Sequence, residues 1–338
     1  MKKHVRNILG TLFIILGIIS LVGCSSENKG TPSANNSDNK KYEFRIGHVV
    51  AENHPYHQGM LKFKEIIEAN MNFDVSVNIF ANSQLGGERE MAEALQLGTL
   101  DIAIVPGVIN SFAPELGALD LPYVFSSKEH AYAVLDGEIG QELVKDLPKN
   151  NGFRLLSYWE NGFRNVTNSR RQVSVASDLA GITIRVPENK VYQAFFEELG
   201  CNVVAMSFSE LYTALHQKTI DGQENPVALI ATNKLYETQP YLAMTEHFYG
   251  PAHVVISEIA WNKLPKELQD AVTEAMTEAR DYEREVMAES EQGYITMIED
   301  GGTTINEVDK ATFIDAAERT YSRFPEYSEI VEKIKSMK

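Results

Sequence analysis

Three polar signatures decide how this chain reads: Trp159-Glu160-Asn161-Gly162-Phe163-Arg164-Asn165, Gly181-Ile182-Thr183-Ile184-Arg185-Val186-Pro187 and Asp221-Gly222-Gln223-Glu224-Asn225-Pro226. Each is set in apolar surroundings. Arg164 and Arg185 stand where a strand is expected to begin or end. A guanidinium is permanently charged and offers a planar fork of donors that matches a carboxylate. Two such forks, with the Asn225 amide downstream, make a clamp for a small organic acid. On their own, two Arg are equally compatible with surface ion pairs, so the rest of the chain has to decide.

Working outward, the pattern is one of alternating strands and helices. Residues 44–50 alternate and are rich in strand formers, and 75–80 and 101–105 read as further strands. Between them, 59–70 carries Met60, Phe63, Ile66 and Ile67 at helical spacing. Leu85-Gly86-Gly87 opens a helix to about residue 97, with Glu88 and Glu90 at the end where the macrodipole favours acids. A helical stretch over 128–147 and a strand over 153–159 follow. The alternation predicts an α/β fold with a largely parallel sheet. Residues 90–101 are echoed without a gap by residues 210–221. The second copy opens on a capping box, Ser207-x-x-Glu210. Such an echo suits a body of two similar lobes.

Leu264-Pro265-Lys266-Glu267 starts a long helix. Leu268, Val272, Ala275, Met276, Ala279, Val286, Tyr294, Met297 and Ile298 keep one face apolar up to Asp300-Gly301-Gly302, where Gly suits a C-cap. At about 1.5 Å per residue the helix spans roughly 50 Å, enough to brace two lobes. Helices over 310–324 and on to 338 close the chain. The expected division is 41–161 with 251–290 for a first lobe, and 162–250 with 291–338 for a second.

The chain has 338 residues, which favours two domains once a leader is set aside. Its 43% apolar content supports a packed core. The net charge of −16 argues against nucleic acid as a partner. The overall field does not steer an anion inward, so an anion site has to win locally through placed Arg groups. Residues 1–23 read as a signal peptide, with Lys2, Lys3 and Arg6 ahead of an apolar run shorter than the roughly 20 residues a membrane span needs. Leu21-Val22-Gly23-Cys24 resembles the lipobox of bacterial lipoproteins, which implies lipidation of Cys24 and an outward-facing protein held by its acyl chains. Residues 24–40 then read as a flexible tether. Cys201, left alone in an apolar run, reads as an inert buried thiol without a disulfide partner.

Catalytic arrangements are not found. There is no Gly-x-Ser-x-Gly elbow, no phosphate loop and no His-Glu-x-x-His. His54 and His57 flank Pro55 without a third ligand, so neither a metal nor another cofactor is expected. They either line a pocket rim or sit exposed at a helix start.

Taken in order, the motifs resemble the DctP-type substrate-binding proteins of tripartite ATP-independent periplasmic (TRAP) transporters. The resemblance runs from about Tyr42 to Gly301. It is carried by Gly47-His48 with His54-Pro55, Asn82-Ser83-Gln84-Leu85-Gly86-Gly87-Glu88, Leu119-Asp120-Leu121-Pro122 and the three signatures quoted first. It implies two hinged α/β lobes with the long helix spanning both, a carboxylate ligand closed between them, and delivery to a small and a large membrane subunit by a monomer.

By the same resemblance Arg185 forms the main salt bridge, Arg164 assists and Asn225 contacts the ligand. Glu88 matches a position that contacts hydroxyls in members binding sugar acids, and its other reading is a helix N-terminal acid. His48, Asn53 and His54, on the first β–α turn, border the cleft. Trp159 and Phe208 either pack on a sugar ring or belong to the core. A sugar acid is favoured over a C4-dicarboxylate. A sensor domain for a signalling partner and an enzyme on a binding-protein scaffold are the competing classes.

Overall fold

The structure is a computed structural model that describes residues 40–337. Cys24, the signal peptide and the tether expected before residue 40 lie outside the described residues.

Two mixed sheets organise the chain. The first collects β1 (Lys41–Gly47), β2 (Asp74–Phe80), β3 (Ile102–Ile104) and β4 (Phe153–Trp159). The second collects β5 (Arg164–Asn168), β6 (Thr183–Val186), β7 (Asn202–Ala205), β8 (Gly222–Pro226) and β9 (Tyr241–Phe248). The chain then returns to the first sheet as β10 (Ala252–Ser257) and finally adds β11 (Thr304–Glu307) to the second. The strand orders are β2-β1-β3-β10-β4 and β11-β9-β5-β8-β6-β7. Helices fill the connections, so each sheet with its helices forms one lobe of a two-lobe α/β fold.

The expectation of largely parallel sheets needs correction. β1 pairs in parallel with β2 and β3, and β6 with β7 and β8. However, β10 runs antiparallel to β3 and β4, and β5 runs antiparallel to β8 and β9. The reversed pairings all involve strands next to the two crossings, at 160–163 and 249–251. A chain that leaves one lobe and comes back enters the sheet from the opposite end.

Local expectations are met with shifts that have physical causes. The first strand ends at Gly47, three residues early, which leaves His48, Val49 and Val50 in the loop beyond it. The stretch 128–147 is three helices, Lys128–Asp136, Glu138–Val144 and Leu147–Asn151, broken at Gly137 and before Pro148. The echo has a structural counterpart. Helix Glu88–Gln96 leads to β3 and helix Phe208–His216 leads to β8, each through a left-handed residue, Gly98 and Lys218. The capping box is absent. Ser207 Oγ pairs with Ser209 Oγ at 3.0 Å instead of capping its helix.

The long helix spans Lys266–Asp300. Its Leu268, Val272, Ala275, Met276 and Ala279 join the core around β1, β3 and β10. Its Met287, Tyr294 and Ile298 join a smaller core with Leu211, Leu215, Ile230 and Leu242 of the second lobe. It therefore packs on both lobes. Met287 replaces the expected Val286 on the buried face, and Met297 is 42% exposed. At the midpoint the apolar face carries an acid, Glu283, which is fully buried. Its Oε2 accepts the N–H of Glu160, so the middle of the helix is tied to the first crossing. Burial, reinforced by nearby Glu160, pushes the Glu283 pKa well above the ordinary range, which favours its neutral form.

Helix Pro55–Glu68 packs against the same region. Gly59 sits so close to Trp159 that an added Cβ would lie 2.6 Å from the indole and 3.0 Å from Glu283 Cβ. Alanine gains about 1 kcal/mol in helix propensity, but overpacking a filled core costs about 1–3 kcal/mol. Gly59→Ala is expected to lower stability by about 1 kcal/mol in urea denaturation; a raised midpoint would show that the indole yields.

Candidate functional site

Arg185 sits on β6, between Val204 of β7 and Gln223 of β8. Its Nε and Nη2 both donate to the carbonyl of Met206, at 2.9 and 2.6 Å. That pair of bonds fixes the plane of the guanidinium. Nη1 is buried and has no partner in the protein. Burial pulls the Arg185 pKa down to about 10, and Arg164 adds to the shift, while Glu88 and Glu224 offset it only in part. The cation therefore sits in a dry place without a matched anion.

Arg164 is different. It starts β5 and lies against β8, where Glu224 takes its fork through two bonds, Nε to Oε2 at 2.5 Å and Nη2 to Oε1 at 2.7 Å. Nη2 also reaches Asn225 Oδ1 at 2.9 Å, and the guanidinium lies 5.3 Å from the Tyr192 ring centre. Burial alone would lower the Arg164 pKa, yet Glu224 more than offsets it and the net shift is upward. Burial would raise the Glu224 carboxyl, and Arg164 more than reverses that. His247 Nε2 stands 3.3 Å from Glu224 Oε2 and Thr245 holds its other ring nitrogen at 2.7 Å. Arg164 is thus largely neutralised inside the protein, and only Nη1 remains outside this bonded set.

Between the lobes lies a cavity with about 460 Å³ of space between atoms, part of it open to solvent. The second lobe contributes Arg164, Arg185, Tyr192, Phe208, Asn225 and Leu229. The first lobe contributes His48, Val49, Val50, Tyr56, Glu88 and Ile104, and the first crossing contributes Asn161. Tyr56 Oη and both polar atoms of the Asn161 amide are buried without a partner in the protein. Glu88 is 7% exposed, and burial raises its pKa to about 7 against the pull of Arg185 and Arg164. His48 is held neutral, near 3, by burial and by His57, whose Nδ1 lies 3.0 Å from His48 Nε2. At the edge the lobes touch directly. Arg89 pairs with Glu188, and Asn189 Nδ2 donates to Gly107 O at 3.2 Å and to Asp120 Oδ2 at 2.7 Å.

The structure brings Arg185, Arg164, Asn225, Glu88, His48 and Phe208 together around this cavity. Three other candidates stand outside it. Trp159 is a core residue, fully buried against Gly59 and Tyr56. His54 is the N-cap of helix Pro55–Glu68, with Nδ1 accepting the Tyr56 N–H at 3.1 Å. Asn53 is exposed, and its backbone carbonyl accepts from Gln58 at 3.4 Å. The first β–α turn does reach the cavity, but through His48 and Tyr56. Among the described residues no cluster of ligating side chains suits a metal ion. Sequence reasoning missed Tyr56, Asn161 and Tyr192. Asn161 stood inside a quoted motif, and Tyr192 follows Arg185-Val186-Pro187 by little more than one helical turn. Glu224 adjoins the chosen Asn225, but its role depends on Arg164 on another strand.

Comparison with known proteins places this geometry. The family model described as "Bacterial extracellular solute-binding protein, family 7" (DctP) matches residues 46–327. The 2,3-diketo-L-gulonate-binding periplasmic protein YiaO of Escherichia coli is 34% identical over 276 residues, 80% of this chain and 83% of the relative. A TRAP periplasmic solute-binding protein from Polaromonas, solved with D-erythronate, aligns at a TM-score of 0.85 with 35% identity over 88% of this chain and 99% of its own. Another from Sulfurospirillum deleyianum, solved with succinate, aligns at 0.84 with 35% identity over the same shares. The match covers the chain from the end of β1 through β11, with the long helix and every residue of the cavity wall, and the chain belongs to family 7 of bacterial extracellular solute-binding proteins.

Proposed function

We propose that this chain is the extracytoplasmic solute-binding protein of a TRAP transporter and captures a small hydroxylated organic acid between its lobes. The observation that carries the reading is the buried, unpartnered Nη1 of Arg185. A carboxylate entering the cleft pairs with that nitrogen, with Asn225 and Arg164 beside it. The lobes close because the ligand binds the closed arrangement better than the open one. Closure removes water and strengthens the ion pair. The closed receptor then docks on a small and a large membrane subunit, and the acid leaves chemically unchanged.

The relatives support this reading at the level of ligand class. One is solved with a hydroxylated monoacid and another with a C4-dicarboxylate. A sugar acid is favoured here, because Glu88, Tyr56 and Asn161 offer uncharged or acidic partners for hydroxyls. Lobe boundaries at 161/162, 250/251 and 290/291 belong to the same reading, and the crossings at 160–163 and 249–251 support the first two. A lipid anchor on Cys24 that holds a monomer at the outer face of the cell membrane is part of the same reading.

Arg185→Ala is expected to weaken acid binding at least about 30-fold, since losing one partner of a buried charge pair costs about 2–5 kcal/mol. Calorimetric titration against aldonates, uronates, succinate and malate measures this, and unchanged affinity would sink the clamp. Glu224→Gln leaves Arg164 buried without its counter-charge. It is expected to cost roughly 3–5 kcal/mol of stability in chemical denaturation. Cys24→Ala in the full chain is expected to abolish incorporation of labelled fatty acid, and labelling retained in the variant would refute the lipid anchor on Cys24.

A further inference from the structure

Three charged side chains line the cavity: Arg164, Arg185 and Glu88. Glu224 already takes the Nε/Nη2 edge of Arg164. Arg185 therefore carries the one positive charge with no matched anion, and it can neutralise one carboxylate. The first lobe's share of the wall holds no Lys or Arg. It presents the Tyr56 hydroxyl, the neutral His48 ring and the Glu88 carboxyl, set among the apolar side chains of Val49, Val50 and Ile104. The nearby cation Arg89 is spent on Glu188.

We propose that this receptor selects hydroxylated acids with a single carboxylate, and that Glu88 is the specificity residue that excludes a second one. The proposal rests on the carboxylate reading above and deepens it. An acid anchored at Arg185 extends toward the first lobe. A hydroxyl arriving there can donate to Glu88 and accept from Tyr56 Oη or the Asn161 amide, whose polar atoms have no partner in the protein. A carboxylate in the same place can accept those donors but meets no unpaired cation, since Arg185 is taken by the first carboxylate and Arg164 by Glu224. It loses its hydration in a wall where Glu88, Tyr56 and Asn161 are each no more than 7% exposed. It also lies beside Glu88, and two carboxylates sharing a dry site disfavour each other's charge. An unpaired buried charge is the most expensive group a site can accept.

Matched pairs of acids test this, because each pair differs only in whether the far terminus is oxidised to a carboxylate. The pairs are D-erythronate with meso-tartrate and D-galactonate with galactarate. They are titrated calorimetrically into the protein after unfolding and refolding have removed any carried ligand, with succinate alongside. The monoacid of the tightest pair is expected to bind at least about 100-fold better than its diacid. Above the Glu88 pKa of about 7, where its carboxyl is ionised, that ratio is expected to narrow at least about tenfold in Glu88→Gln, because the like charge is gone while a hydroxyl partner remains. Succinate or a diacid binding as tightly as any monoacid would overturn the inference and leave the carboxylate clamp standing. So would a ratio unchanged in Glu88→Gln. Failure of every acid to bind would overturn the clamp itself and the inference with it.

Discussion

A guanidinium held in a dry interior without a matched anion is the constraint on which this molecule turns. Arg185 is 1% exposed, and two of its nitrogens are spent on a backbone carbonyl. Its remaining edge has to be satisfied by something that arrives from outside. The second sheet makes this possible by placing Arg185 on β6, flanked on both sides by paired strands. Arg164, two strands across the sheet on β5, shows the contrast. It has the same chemistry, but Glu224 and Asn225 claim its fork, so it shapes the site more than it charges it.

The long helix and the two crossings set how the halves of the site meet. The helix packs on the first lobe with its N-terminal half and on the second with its C-terminal half, and Glu283 at its midpoint grips the backbone of Glu160. A neutral acid is well suited to that place. It gives a directional bond to the crossing without adding a charge that the surrounding apolar residues would have to accommodate. Trp159, the residue before the crossing, fills the space between Gly59 and Tyr56 and keeps helix Pro55–Glu68 in position. Tyr56, on that helix, then faces the cavity.

Much of this was legible in the sequence because it depends on local order. The strand–helix alternation, the apolar face of the 35-residue helix and the positions of Arg164 and Arg185 need only neighbours in the chain. Trp159 was ambiguous because a large aromatic beside a polar motif suits a core and a sugar-stacking wall equally. His54 caps a helix through Nδ1, a role the sequence left open because a capping nitrogen and a ligand-facing nitrogen look alike until the helix start is fixed at Pro55. The neutralisation of Arg164 was out of reach, since Glu224 lies 60 residues further on and only the β5–β8 pairing brings them together. The mixed sheet direction was hidden for the same reason. Crossing between lobes is a property of the whole path.

The cavity wall is divided by origin as well as by chemistry. The second lobe brings the permanent cations and the Asn225 amide, and the first brings Tyr56, His48, Glu88 and a few branched apolar side chains. On the proposed reading, grip and identity are therefore encoded in separate stretches of the gene. Substitutions confined to the first lobe can retune which acid is held while the anion grip stays intact, and the halves can drift at different speeds. A receptor built this way offers a short route to a new nutrient: a handful of changes on one side of the cleft, with the other side left alone.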